Sequence, residues 1–71
     1  MGNSIHIAES LKSPRLARGL TQQQLARETG ISQQNLSRWE TGTHIPNLAD
    51  CIRLADFYGI SLDELADRDF D

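Results

Sequence analysis

The 71-residue chain predicts an all-α fold, a compact bundle of five short helices forming one domain over residues 1–71. Three observations carry this. Glycines stand at 19, 30, 42 and 59, each where an apolar helical stretch should stop. A helix-start signature occurs three times, at Leu20-Thr21, Ile31-Ser32 and Ile60-Ser61. In each, an apolar residue precedes a Thr or Ser cap and a leucine follows four residues beyond it, the spacing of a hydrophobic staple. Strand grammar is absent: nothing alternates at period two over a useful length, and no Asn-Gly or Asp-Gly pair marks a hairpin.

The elements follow in order. Helix 1 is expected from about Ile5 to Arg18, with Ile7 and Leu11 on one face. Pro14 falls inside it, deleting a backbone hydrogen bond at a cost of about 3 kcal/mol. A kinked helix is expected there, the alternative being a fresh turn capped by Ser13 with Pro14 as its first residue. Helix 2 spans Gln22 to Thr29, capped by Thr21 with Gln24 in the reciprocal capping-box position, and buries Leu25 and Ala26. Helix 3 spans Gln33 to Thr41 and buries Leu36 and Trp39 at i, i+3. That spacing places Trp39 in the core rather than on a stacking surface. Two helix starts eleven residues apart leave about two turns and a tight bend at Gly30, which reads as a helix-turn-helix over about 21–41. Helix 4 begins after Pro46, capped by Asn47, with Leu48, Ile52 and Ala55 directed inward and Phe57 and Tyr58 packing at its end. Helix 5 opens on Ile60-Ser61-Leu62-Asp63-Glu64-Leu65 with a second capping box, and residues 67–71 form a frayed tail.

Composition removes several classes of function. Cys51 stands alone, so no internal disulfide forms, and its only company for a metal is His6 and His44; neither metal nor cofactor is expected. It reads as a small buried hydrophobe. No window approaches the roughly 18 apolar residues of a membrane span, and no signal-peptide core opens the chain, so a cytoplasmic location is expected. Met1-Gly2-Asn3-Ser4 resembles a myristoylation start but has His6 where Ser or Thr belongs. Asn35-Leu36-Ser37 is a glycosylation sequon without an export signal to give it meaning. Paired carboxylates in a cleft, a nucleophile elbow and a phosphate-cradling loop are all missing, so an enzyme is not expected. The net charge of −3 is unevenly spread. Residues 1–45 carry five Lys or Arg against three Asp or Glu, whereas residues 46–71 carry two against seven. That asymmetry suggests a basic working face and an acidic back.

Gly19-Leu20-Thr21-Gln22, Leu25-Ala26, Gly30-Ile31-Ser32, Trp39-Glu40-x-Gly42, Pro46 and Leu62-Asp63-Glu64-Leu65 together resemble the lambda repressor and Cro type of helix-turn-helix domain, over nearly the whole chain. The resemblance implies a lambda-repressor-like bundle with helix 3 in the DNA major groove and helix 2 across the backbone. Gln33 and Gln34 would then meet base edges, where glutamine pairs bidentately with adenine N6 and N7. Ser37 and Arg38, one turn on, extend the reading face, and Arg38 serves equally to hold a phosphate. Gln22 heads helix 2, where free N–H groups and the helix dipole favour a phosphate oxygen. In similar proteins this glutamine also braces the first recognition glutamine. Ser32 caps helix 3 and lies within reach of a phosphate or a thymine methyl. Arg15 and Glu40 match positions that form a salt bridge in some family members, with the guanidinium aimed toward the DNA backbone. The alternative is an exposed pair contributing at most about 1 kcal/mol. Many relatives grip phosphate with Lys or Arg between helices 3 and 4. Here Thr43-His44-Ile45 leaves Thr43 and a mostly neutral His44 for that task, which implies a shallow salt dependence.

The expected function is a sequence-specific double-stranded DNA-binding transcriptional regulator, a repressor of bacterial or phage origin. It would act as a homodimer on an inverted repeat, through a dimer surface in helix 5 and the segment before it. The alternative is an antitoxin-type or other protein-interaction module of the same fold. Its acidic residues 50–71 would bind a basic partner, and it would autoregulate through DNA.

Overall fold

Capping chemistry sets where the helices begin. In the computed structural model, which describes residues 4–66 (side chains from Ile7 onward), the order is α1 Ser4–Ala17, α2 Gln22–Thr29, α3 Gln33–Glu40, α4 Leu48–Tyr58 and α5 Leu62–Ala66. The myristoylation-like start, His6 and the tail 67–71 lie outside the described side chains. Thr21 Oγ1 accepts the Gln24 N–H at 3.0 Å, and Gln24 Oε1 accepts the Thr21 N–H at 2.9 Å. Ser61 and Glu64 form the same reciprocal box, both bonds at 3.1 Å. Single caps start α3 and α4: Ser32 Oγ accepts from Asn35 N–H at 3.1 Å and Asn47 Oδ1 from Asp50 N–H at 2.8 Å. Each satisfies an amide that the first helical turn leaves open. α3 stops one residue earlier than expected, with Thr41 as its C-cap.

α1 runs unbroken through Pro14, so no fresh turn starts at Ser13. Pro14 brings no N–H for the Ser10 carbonyl, and one turn below it the Ser10 hydroxyl donates to the Leu65 carbonyl, tying α1 to α5. α1 packs across α3 and α5, α2 across α3 and α4, and α4 on α5. All three staples deliver their leucines to the core. Leu25, Leu36 and Leu65 are buried together with Leu11, Ile31, Trp39, Leu54, Ala55 and Tyr58. Burying one such leucine fully is worth about 1.5–3 kcal/mol.

The expected inner face of helix 4 is corrected. Leu48 is 66% exposed and Ile52 44% exposed, whereas Leu54, Ala55 and Tyr58 are buried and Cys51 is half-buried. Apolar residues nearly encircle α4, so periodicity alone does not choose its inward side. The aromatic end chooses it. Arg18 donates to the Tyr58 carbonyl at 2.8 Å, and its guanidinium carbon lies 5.6 Å from the Phe57 ring centroid and 5.5 Å from that of Tyr58. No helix among the described residues is long and apolar enough to cross a membrane.

Candidate nucleic-acid interface

Between α2 and α3 the chain reverses at Gly30, whose φ of +78° is left-handed and whose N–H bonds the Ala26 carbonyl at 2.8 Å. Ile31 and Leu36 then seat α3 by burial on its inner side. Residues advance by about 100° around a helix, so burial of Leu36 and Trp39 turns Gln34 and Arg38 outward. Gln33, Gln34 and Arg38 are exposed, and Ser37 is half-exposed between them. The four expected base-edge residues therefore share one solvent face.

The end of that face is pinned. Thr43 and His44 turn their backbone N–H groups onto the Arg38 carbonyl, at 2.9 and 3.3 Å. The Thr41 hydroxyl meets the Ser37 and Arg38 carbonyls at 2.9 and 3.1 Å and the Thr43 hydroxyl at 3.0 Å. Thr43 and His44 are thus exposed but held beside Arg38. Ser32 is exposed at the other end, with its hydroxyl engaged in the cap.

Behind the face lies a buried polar brace. Arg15 Nε and Nη2 donate to Glu40 Oε2 and Oε1 at 2.9 and 2.8 Å, a bidentate pair, and Nη1 donates to the Leu20 carbonyl at 2.7 Å. Arg15 is only 7% exposed. Its hydrogen bond to Glu40 raises its pKa above the ordinary arginine value, outweighing the opposing effect of burial. The pair is therefore buried rather than exposed and weak, and the guanidinium is committed to Glu40 and the Leu20 carbonyl. Gln22 is a second correction. Its Nε2 donates to Glu40 Oε1 at 3.1 Å instead of bracing Gln33. α1, the head of α2 and the tail of α3 therefore converge on one carboxylate.

Two contributors escaped the sequence reading, and a third, Tyr58, packs in the core as expected. Arg18 clamps the end of α4, as above. Asn35 stands half-exposed on the flank of α3 nearest α4. Tyr58 is buried with its hydroxyl unpaired, and burial, reinforced by nearby Glu40 and opposed by Arg15 and Arg18, pushes its pKa up to about 12. Only Asn35 carried a local signal, its i, i+3 spacing to Arg38. Burial, with Asp50 nearby, raises the Cys51 pKa. Among the described residues no group of three or more His, Cys, Asp or Glu is placed to hold a metal.

A short helix, a left-handed glycine turn and a second helix offering its first two turns to solvent define a helix-turn-helix domain. Residues 11–65 match the model of the family described as Helix-turn-helix. The chain belongs to that family, in its lambda repressor and Cro type. It is 39% identical over 62 residues to the cryptic phage CTXphi transcriptional repressor RstR of Vibrio cholerae, covering 87% of this chain and 55% of that protein. It is 35% identical over 57 residues to the HTH-type transcriptional activator BcrR of Enterococcus faecalis, covering 80% of this chain and 28% of that protein. The chain thus spans about half, or less, of the length of these two relatives. The restriction-modification controller protein C.AhdI from Aeromonas hydrophila superposes with a TM-score of 0.80 at 27% identity, over 87% of this chain and 94% of that one.

Proposed function

We propose that this chain is a sequence-specific double-stranded DNA-binding regulator of transcription, not an enzyme. α3 enters the major groove and α2 crosses the backbone. The observation that carries this reading is the polar outer face of α3, Gln33, Gln34, Ser37 and Arg38, held rigid from behind by the Arg15–Glu40–Gln22 cluster. A reading surface fixed before it meets its target loses little entropy on binding. Gln33, Gln34, Ser37 and Arg38 contact base edges. Gln22, through its backbone N–H at the open end of α2, contacts phosphate together with Ser32, Thr43 and His44. Arg15 acts through Glu40.

The regulator works as a homodimer on an inverted repeat and represses. Leu48 and Leu62 border an apolar cleft of about 230 Å³ between α4 and α5, and Ile52 and Ile45 are exposed nearby in sequence. Exposed apolar side chains so placed favour a partner surface. Sign of regulation divides the relatives, since RstR is a repressor and BcrR an activator. Placement of the selected site over or upstream of a promoter decides between them. Selection of bound sequences from random duplexes tests the whole reading. A palindromic site is expected, with Gln34→Ala relaxing one or two of its positions and leaving non-specific affinity nearly unchanged. A uniform loss across all sequences would contradict base readout.

A further inference from the structure

We infer that Asn35 is a further specificity-determining residue, reading an adenine–thymine pair that neither Gln33 nor Gln34 reads. The inference rests on α3 being the recognition helix. With Gln34 and Arg38 at the centre of its outer face, Gln33 and Ser37 fall on one flank and Asn35 on the other, the side toward α4. That flank borders a cleft of about 230 Å³ lined by Asn35, Arg38, His44, Ile45 and Asp50, with buried Trp39 at its back.

The occupancy of the groups in this cleft points to a base edge. The second asparagine lining it, Asn47, has its oxygen committed to the Asp50 N–H. The Asn35 carboxamide has no hydrogen-bond partner among the described residues, while its backbone N–H donates to the Ser32 hydroxyl. A carboxamide offers one donor and one acceptor side by side, the pattern that matches adenine N6 and N7 in the major groove. Ile45, 57% exposed on the same cleft, suits the thymine methyl of such a pair. Two backbone hydrogen bonds from Thr43 and His44 to the Arg38 carbonyl fix the far wall, so the flank is preformed.

Selection from random duplexes with the full chain and its Asn35→Ala and Asn35→Asp variants tests this, with thermal unfolding confirming that each variant folds. Asn35→Ala is expected to keep the preferences that Gln33→Ala and Gln34→Ala relax. It should lose about ten-fold in discrimination for adenine–thymine at one further position of each half-site. Asn35→Asp should move the preference at that position toward cytosine, whose N4 amine donates to a carboxylate. An Asn35→Ala variant that selects the same sequence at every position, or that loses affinity uniformly, overturns the inference while leaving the recognition helix standing. A parent chain that selects no sequence at all overturns both.

Discussion

Glu40 joins three helices through one carboxylate, accepting from Arg15 on α1 and Gln22 on α2 at the end of α3. Its oxygens are satisfied from two helices, and the charges are nearly out of water: the side chains of Arg15 and Glu40 are 9% and 4% exposed. A buried ion pair adds little over an apolar substitute, but breaking it by removing one partner leaves the other charge stranded, at about 3–5 kcal/mol. Arg15→Ala should therefore cost that much in urea unfolding, a large share of the stability of so small a domain. Gln22→Ala, which removes one hydrogen bond to a carboxylate that keeps its arginine, should cost about 1 kcal/mol. Because the proposed phosphate contact is made by the backbone N–H, which alanine keeps, the variant's affinity for specific and random duplexes alike should change little, read by titrating both. Tyr58 gives a prediction in pH. Its folded-state pKa is pushed up to about 12 from an ordinary 10, so the neutral form is favoured in the folded state. The corresponding stability, about 2–3 kcal/mol, is complete below pH 10 and is lost as pH rises to 12. Tyr58→Phe should abolish that alkaline decline in denaturant midpoints measured from about pH 9 to 12. At neutral pH it should leave stability equal or higher, because the hydroxyl it removes is unpaired.

At the scale of the element, the glycine turn and the cap of α3 aim the reading face. A Cβ at Gly30 would meet nothing within 4 Å, so Gly30→Ala is penalised by its left-handed φ of +78° alone, about 1–2 kcal/mol. Gly30→Asn should lose less, since asparagine visits that conformation more readily; thermal unfolding of the two variants orders them. Ser32→Ala removes the bond to the Asn35 N–H and should cost about 1 kcal/mol. Its consequence falls on the first turn of α3, the turn that carries Gln33 and Gln34. These starts and turns were legible in the sequence because they are local: a cap, its amide three residues on and the staple leucine four residues on are all set by a few dihedrals. The orientation of α4 was not. Leu48, Ile52 and Ala55 make as good a helical stripe as Leu54, Ala55 and Tyr58, and only packing against distant residues decides between them. Arg18, forty residues from the Tyr58 carbonyl it clamps, is the clearest case. Gln22 shows the limit of a resemblance. Its place at the head of α2 is read correctly, yet its partner is Glu40, a choice made by how α3 sits and not by the motif.

Across the whole molecule the question is how a face with one exposed guanidinium, that of Arg38, holds a polyanion. Lys12, Arg18 and Arg27 stand on α1, its C-terminal turn and α2, and Arg53 on α4, while the acidic residues Asp50, Asp56, Asp63 and Glu64 crowd α4 and α5. Each cation that meets a phosphate contributes about −0.9 to the slope of log affinity against log salt, so a single domain whose phosphate contacts come mainly from backbone amides and hydroxyls should show a slope no steeper than about −1. Affinity sufficient for regulation then has to come from joining two such faces. Once one half-site is held, the second binds as an intramolecular event, gaining orders of magnitude without any new contact. The proposed dimer supplies that joint, and the exposed apolar side chains of Leu48, Ile52 and Leu62 supply its adhesive on the side of the molecule where acidic charge would otherwise repel a copy. The double variant Leu48→Asp with Ile52→Asp changes only exposed side chains, so the fold should persist with an unchanged helical spectrum. Sedimentation should find it monomeric at concentrations where the parent is dimeric. Its affinity for a full inverted repeat should fall to that for a single half-site, with the salt slope halved. A variant that still dimerises would place the joint on another surface, and one that is monomeric yet binds the repeat as tightly as the parent would show that a single face suffices.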